Sequence, residues 1–288
     1  MATDMWNGLA RRGEMEEAAV RAMEHARRAG DVREEAMSAR LLGGALLYGP
    51  AAVAEAIPRC EEIVRRAADS PMLEVAVLPI LAQLYGMQGR FPEGRALFDR
   101  SRSLQDELGL RYFSARMANQ AGDFELLAGN AVAAEREQRR GCEIFREMGE
   151  TGRFSTVAST LADALYTLGR YDEALSWTRE SEEATSPDDL VSQVDWRRVR
   201  GKVLARRGEI ARAEELVREA LRIAETSIDD VHLQDKALRD NAEVLRLLGR
   251  PAEGVPYAQR ALELQERKGN VAGAARASAL LEKLAGGA

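Results

Sequence analysis

A glycine that recurs about every 40 residues is the feature that most constrains what this 288-residue chain can fold into. Each of these glycines precedes a charged segment that contains alanine or glycine, as in Gly169-Arg170-Tyr171-Asp172-Glu173-Ala174. A period of about 40 residues leaves room for two helices of four or more turns and two short turns. The repetition therefore predicts a stack of similar helical units, with turn glycines at Gly13, Gly49, Gly89, Gly129, Gly169, Gly208 and Gly249.

The segments between the glycines carry helical periodicity. From Ser155 to Leu168, apolar or small residues recur at the three- and four-residue spacing that places them on one face of a helix. No segment of the sequence shows a convincing strand pattern. The expected fold is all-α, a single solenoid over residues 1–288, built from about seven helix-turn-helix pairs and a C-terminal capping helix at about 272–284. We expect a short first pair, because only about ten residues precede Gly13.

Composition and charge narrow the function classes. The formal net charge of −6 argues against a surface that mainly neutralises nucleic-acid phosphates or anionic lipid. The only cysteines and histidines are Cys60, Cys142, His25 and His232, and their spacing fits neither a disulfide framework nor a metal site. No nucleophile and base pattern accompanies either histidine. We therefore expect no catalytic residue, no metal and no cofactor, and we interpret both cysteines as small buried hydrophobic residues.

The location of the protein is also constrained by its sequence. The longest uncharged runs are interrupted by glycine and proline and are shorter than the roughly 18 residues that a membrane helix needs. The first residues lack the basic start and apolar block of a secretory signal. These observations predict a cytoplasmic protein that binds neither a membrane nor, directly, nucleic acid.

The turn from Leu168 to Ala174 resembles the inter-helix turn of the tetratricopeptide repeat, which has this glycine, an aromatic residue two positions later and an alanine five positions after the glycine. The usual repeat has about 34 residues, so these units resemble longer variants in which both helices are extended. The resemblance implies a right-handed superhelix with a concave groove. A small residue recurs at the fifth position after every turn glycine, where two helices cross closely: Ala18, Ala54, Gly94, Ala134, Ala174, Ala213 and Gly254.

A second resemblance covers roughly residues 110–285. Segments such as 124–129, 202–208 and 266–270 are similar to the C-terminal repeat region of large actinobacterial regulators, in which a nucleotide-cyclase domain and an AAA-type ATPase precede the repeats. This chain has no phosphate-binding loop of the Gly-x-x-x-x-Gly-Lys-Ser/Thr type and no metal-binding Asp pair set on a strand. The resemblance therefore implies a sensing or scaffolding role, and the cyclase and ATPase activities do not transfer.

The tetratricopeptide resemblance also implies which side chains face the groove, namely those 13, 10, 6 and 3 positions before a turn glycine. Before Gly49 and Gly89 these positions hold mostly small or apolar residues, whereas in the later units they are mostly polar or charged. A solvated helix face and a ligand groove both explain this pattern, since charges are common on exposed helices. The candidate groove residues are Arg116, Asn119, Asp123, Ser159, Asp163, Tyr166, Arg198, Lys202, Lys236, Arg239, Glu243 and Arg246.

Five basic residues among these candidates, Arg198, Lys202, Lys236, Arg239 and Arg246, occupy such positions in two successive units. We expect them to share one concave face that can receive a carboxylate or an acidic peptide. We also expect these side chains to be solvated. Reversing Arg198 and Arg239 to Glu should then weaken binding without disturbing the fold.

Two functional hypotheses follow from the sequence. The first is a non-enzymatic scaffold or sensor in bacterial signalling that binds a protein or peptide in its concave groove. The alternative is a small-molecule-sensing solenoid that controls a transcription factor or a catalytic domain. An extended groove open at both ends favours the first, and a closed pocket near Gly43, Tyr85 and Met87 favours the second. The sequence leaves the oligomeric state open.

Overall fold

A computed structural model of the chain describes residues 12–67, 70–226 and 229–286, and these residues form fourteen α-helices and no strand. The predicted all-α solenoid is confirmed. The helices are α1 (Arg12–Ala29), α2 (Val32–Tyr48), α3 (Val53–Arg66), α4 (Pro71–Met87), α5 (Phe91–Glu107), α6 (Arg111–Leu127), α7 (Ala131–Met148), α8 (Thr151–Thr167), α9 (Tyr171–Ala184), α10 (Leu190–Arg206), α11 (Ile210–Thr226), α12 (Val231–Leu247), α13 (Pro251–Lys268) and α14 (Val271–Ala285).

The helices form six successive pairs, from α2 and α3 to α12 and α13. In each pair the first helix packs against the first helix of the next pair, so α2, α4, α6, α8, α10 and α12 form a continuous inner layer. Helix α14 packs against α13, as expected of the capping helix, and α1 packs against α2. The first helix of the predicted seventh pair would lie in residues 1–11, outside the described residues.

The turn glycines end the first helices by adopting a left-handed backbone conformation. The φ angle lies between +74° and +80° at Gly89, Gly129, Gly169, Gly208 and Gly249, a region that residues other than glycine rarely adopt. The amide of each glycine donates a hydrogen bond to a carbonyl in the last turn of the preceding helix. The repeat period in the sequence is therefore the spacing of these helix stops.

Two of the seven predicted turn glycines do not adopt this conformation. Gly13 lies in the first turn of α1, and Gly49 has a φ of −82° with an extended ψ. Gly49 precedes Pro50, and a proline disfavours the helical region for the residue before it. Helix α2 packs mainly against α1 and α4 rather than against α3.

Small residues allow close crossings within the pairs. Ala174 and Ala213 are both 0% exposed, and a Cβ atom added to Gly201 of α10 would lie 3.2 Å from the carbonyl oxygen of Ala213. A Cβ atom added to Gly94 of α5 would lie 2.9 Å from the carbonyl oxygen of Ala82 in α4. These distances leave no room for a larger side chain at the crossings.

The Ala213→Leu variant tests the close crossing of α10 and α11. We expect the larger side chain to overpack this crossing and to lower the free energy of unfolding by about 1 to 3 kcal/mol. Ala211→Leu, at an exposed position of the same helix, is the matched control. Urea unfolding followed by circular dichroism measures both variants, and equal midpoints would show that Ala213 is not confined by its neighbours.

The superhelix closes on itself, which the sequence did not indicate. The backbone amides of Arg12 and Gly13 donate hydrogen bonds of 2.6 and 2.5 Å to the carboxylate of Asp229, and the Arg12 guanidinium donates to Asp230 over 2.7 and 2.9 Å. Helix α2 also contacts α12, and α4 contacts α14. We call this junction between the first and last repeats the closing seam.

Lys268 adds a second set of contacts to the closing seam, at the C-terminal end of α2. The Lys268 ammonium, at the end of α13, donates hydrogen bonds to the carbonyl oxygens of Leu46, Gly49 and Ala51 over 2.6 to 2.7 Å. Its position is favourable because a helix carries partial negative charge at its C-terminal end. Burial lowers the pKa of Lys268 to about 8. The inner layer thus lies inside a ring whose first and last repeats are in contact.

Candidate functional site

Two adjoining cavities occupy the inside of the ring. The larger chamber has a volume of about 810 Å³ and is lined mainly by α1, α2, α4, α6, α8 and α12. The smaller chamber has a volume of about 430 Å³ and is lined mainly by α6, α8, α10, α12 and α14. Both chambers are lined by Asp123, His232 and Lys236, so these three residues mark the boundary between them.

The boundary combines a carboxylate with two basic side chains. The Asp123 carboxylate lies 3.5 Å from the Lys236 Nζ and 3.7 Å from the His232 Nε2. Burial acts to raise the pKa of Asp123, but the Lys236 ammonium, the hydrogen bond with His232 and the Arg198 guanidinium outweigh it and lower the pKa to about 2. The Tyr48 ring packs 5.6 Å from the His232 ring, and burial raises the pKa of this tyrosine to about 12. At neutral pH the boundary therefore holds an ionised Asp123 and a neutral Tyr48.

A buried group of five charged residues, which we call the charged network, lies beside the smaller chamber. The Arg198 guanidinium donates hydrogen bonds to Asp195 over 2.7 Å, to Asp163 over 2.8 Å and to Asp240 over 2.7 Å. The Lys202 Nζ lies 2.7 Å from Asp163 and 3.0 Å from Asp240. Three carboxylates and two cations leave a net charge of about −1.

In the charged network, the ion pairs shift the pKa values of Asp163 and Arg198 more strongly than burial does. Burial acts to raise the pKa of Asp163, but Arg198 and Lys202 hold it well below its usual range. Burial likewise acts to lower the pKa of Arg198, and its three carboxylate partners raise it well above the usual value. Asp163 and Arg198 are therefore ionised at neutral pH, and the network joins α8, α10 and α12 electrostatically.

The structure brings most of the sequence-predicted groove residues to the two chambers. Arg116 and Asn119 line the larger chamber. Ser159 lines neither, because it is buried and its hydroxyl donates a 2.7 Å hydrogen bond to the carbonyl oxygen of Thr156. Asp123 and Lys236 line both chambers, and the smaller chamber is lined by Asp163, Tyr166, Arg198, Lys202, Arg239, Glu243 and Arg246.

The five basic residues do line one chamber, but the expectation that they are all solvated is wrong. Arg198 is 1% exposed and Lys202 is 5% exposed. The reason is the curvature of the inner layer, which brings Asp163 of α8 and Asp240 of α12 onto the cations of α10. The other three cations are also paired: Lys236 with Asp123, Arg239 with Asp235, and Arg246 with Glu243.

The larger chamber is not formed around the residues that the sequence suggested for a closed pocket. Gly43 is buried, and a Cβ atom added there would lie 2.6 Å from the Ile80 side chain. The Tyr85 hydroxyl donates a hydrogen bond to Glu61 over 2.8 Å, and Met87 lines the smaller chamber. The small and apolar positions of α4, Ala76 and Pro79 among them, instead form part of the wall of the larger chamber.

Sequence reasoning missed the residues whose position depends on closure of the ring. The sequence assigned no functional role to His232, yet it lies between the chambers beside Tyr48. Asp229 and Asp230 accept hydrogen bonds from residues at the start of α1, which lie more than 200 positions earlier in the chain. None of these residues occupies a groove offset of the repeat, so no local pattern distinguishes them.

The comparisons with known proteins agree with this architecture. The sequence model of the tetratricopeptide repeat matches residues 80–100, 156–180 and 197–219, each of which spans parts of two consecutive helices. No curated protein sequence matches the chain. The chain contains tetratricopeptide repeats, which confirms the resemblance of its turns, while the second resemblance stays a prediction.

Three solved structures show the same fold. A Rap protein complexed with competence and sporulation factor is 14% identical, with a TM-score of 0.56 over 90% of this chain and 76% of that chain. The apo quorum sensor NprR from B. thuringiensis is 14% identical, with a TM-score of 0.54 over 95% and 80%. BtubC from P. vanneervenii is 17% identical, with a TM-score of 0.52 over 74% and 89%.

A separate observation concerns membranes. Among the described helices, none combines the length and the apolar character required to cross a bilayer.

Proposed function

We propose that this protein is a non-enzymatic binding module that holds a short peptide inside the ring, as a sensor or scaffold in bacterial signalling. The observation that carries the proposal is the larger chamber itself, a cavity of about 810 Å³ on the inner face of a tetratricopeptide-type superhelix. The fold shared with the NprR quorum sensor and with the Rap protein supports a sensing role.

The size of the larger chamber favours a short ligand. Its volume lies within the range of about 300 to 1,000 Å³ that is typical of pockets enclosing compact ligands. Because the closing seam joins the first and last repeats, a long extended segment has no open groove to follow. We therefore expect the larger chamber to hold a peptide of about four to six residues.

The walls of the larger chamber suit a peptide because they combine two kinds of surface. One part is apolar and includes Val75, Pro79 and Ile80 of α4, which can pack against ligand side chains. Another part is polar and includes Asn119 of α6 and Thr160 of α8, whose side chains are joined by a 2.6 Å hydrogen bond. Polar side chains of this type can bond the amide groups of a peptide main chain.

A small-molecule sensor is the second candidate, and the closing seam is the observation that favours it. A ring closed by several buried contacts encloses its ligand more completely than an open groove does. The two candidates can be separated by offering peptides and small metabolites to the same protein and identifying which of them it retains.

Filling the larger chamber with a bulky side chain tests where the ligand binds. Gly44 lines the chamber, and a Cβ atom added there would meet only Met15, at 3.8 Å, so the Gly44→Phe variant should fold. We expect it to weaken binding of pooled synthetic peptides of about four to six residues at least tenfold, or about 1.4 kcal/mol. Affinity selection followed by mass spectrometry identifies the bound peptides, and calorimetry measures their affinity.

Ala96→Phe adds the same side chain at an exposed position of α5 and is the matched control. It should bind the selected peptides as the unmodified protein does. Equal retention by all three proteins would place binding outside the larger chamber. Retention of small metabolites from a defined mixture, without retention of any peptide, would replace the peptide proposal with the second candidate.

A further inference from the structure

Arg116 lacks the kind of carboxylate partner that Arg198, Arg239 and Arg246 each have among the described residues. It lies on α6 and lines the larger chamber, with its Cζ 6.0 Å from the centre of the Tyr112 ring. Across residues 12–67, 70–226 and 229–286 it forms no ion pair with a carboxylate. Burial and the positive charge of Arg153 lower its pKa. The guanidinium is therefore a cation at the wall of a cavity, with no carboxylate partner in the part of the chain that the structure describes.

Among the described residues, none of the carboxylates that line the larger chamber forms an ion pair with Arg116. Asp188, which also lines the chamber, is exposed to solvent. Five others are already bonded within the chain: Asp123 to Lys236, Asp195 to Arg198, Asp230 to Arg12, Glu150 to the Arg153 amide and Asp189 to the Ser192 amide. An anion entering the chamber would thus meet a guanidinium that interacts with the Tyr112 side chain but that no carboxylate of the described residues neutralises.

The repeat itself places Arg116 in the middle of the chamber wall. Ala76, Arg116, Thr156 and Asp195 occupy the same offset, 13 positions before the turn glycine, in four successive units. All four line the larger chamber, and their helices are consecutive in the inner layer. Arg116 therefore stands between a small apolar residue on one side and a hydroxyl group on the other, where a ligand can approach it.

A partly buried cation without a partner costs stability, and such groups are concentrated at functional sites. We propose that Arg116 binds a carboxylate of the ligand, held in the larger chamber with an apolar group of the ligand against the α4 wall. A guanidinium pairs with a carboxylate through two parallel hydrogen bonds, and the pair is stronger in a cavity than in water. The inference rests on the proposed function, since it names the chemistry that the peptide must carry.

The carboxylate can come from the C-terminus of a peptide or from an acidic side chain. Four peptide pools of about four to six residues separate these sources: free acids and C-terminal amides, each made with and without Asp and Glu. We expect the unmodified protein to retain peptides that carry a carboxylate and to discard the amide pool that lacks acidic residues. Whether amides with acidic residues are retained identifies the source.

Variants of Arg116 provide the direct test. Arg116→Gln should weaken the carboxylate-bearing peptides at least tenfold, whereas Arg116→Lys should keep part of the affinity because it keeps the charge. Arg179→Gln, at an exposed position of α9, is the matched control and should leave affinity unchanged. Because Arg116→Gln removes an unpaired charge, its melting temperature should not fall below that of the unmodified protein.

A probe that contains no peptide keeps the inference separate from the proposed function. In thermal-shift measurements, 4-phenylbutyrate should raise the melting temperature of the unmodified protein but not of Arg116→Gln, and the neutral 4-phenylbutyramide should shift neither. If the thermal shifts behave in this way but the protein retains no peptide, the carboxylate site would be supported and the peptide proposal would be overturned. Peptide binding that depends on neither a carboxylate nor Arg116, together with equal shifts from acid and amide, would overturn the inference and leave the peptide proposal standing.

Discussion

Replacing Arg198 with methionine is expected to lower the free energy of unfolding by about 3 to 5 kcal/mol. Arg198 is 1% exposed, and its guanidinium is the common partner of Asp163, Asp195 and Asp240. Without it, three carboxylates would lie close together in a buried site, where the Lys202 ammonium pairs directly with only two of them, Asp163 and Asp240. Removing one partner of a buried ion network is costly because the remaining charges stay buried and uncompensated.

Urea unfolding at neutral pH measures this effect. Arg179→Met is the matched control, since Arg179 is exposed on α9 and its replacement should change stability by less than about 0.5 kcal/mol. The Arg198→Met midpoint should lie well below that of the control. A midpoint that matches the control would mean that the three aspartates find other partners, and the charged network would then have no role in holding α8, α10 and α12 together.

The contrast between Arg198 and Arg116 shows where sequence reasoning reaches its limit. Both were predicted to face the inside of the superhelix, and both line a chamber. Arg198 has three carboxylate partners, whereas Arg116 has none among the described residues. The difference depends on which carboxylates the neighbouring repeats bring close, and the repeat offset alone cannot supply that information.

The fold was predictable because its signals are local. A turn glycine with a positive φ and a small residue at a helix crossing each depend on residues within one unit, as Gly169 and Ala174 illustrate. Even the irregular turn at Gly49 has a local cause in Pro50, although the repeat pattern placed Gly49 with the other turns. Local signals of this kind fix the order of the helices and the composition of the inner layer.

Closure of the ring was not predictable for the opposite reason. It depends on the small rotation and rise between neighbouring repeats, which accumulate over six helix pairs before the ends can meet. The Arg12 to Asp230 contact therefore joins residues 218 positions apart without any repeat signal at either end. The chamber that carries the proposed function follows from this closure, so the sequence could identify the wall residues but not the cavity that they form.

The closing seam is the second site at which a single substitution should have a large effect. The side chains of Arg12 and Asp230 are 7% and 4% exposed, and Asp230 also accepts a 2.9 Å hydrogen bond from the Leu233 amide, which caps α12. Asp230→Ala removes both interactions and leaves the Arg12 guanidinium buried without this carboxylate. We expect the packing of α1 in the closing seam to become less stable by about 3 to 5 kcal/mol. The reason is that Arg12 can reach solvent only when α1 leaves the seam.

Hydrogen exchange and small-angle scattering measure the opening of the seam. Asp230→Ala should speed amide exchange in α1 and raise the radius of gyration, and Asp106→Ala, at an exposed position of α5, should do neither. Asp230→Asn should have an intermediate effect, since asparagine keeps the cap of α12 and loses only the charge. An open ring would also expose the larger chamber, so Asp230→Ala should bind the selected peptides more weakly. Unchanged exchange in α1 together with an unchanged radius would show that the ring is closed by other contacts, with the Lys268 hydrogen bonds to the end of α2 as the next ones to remove.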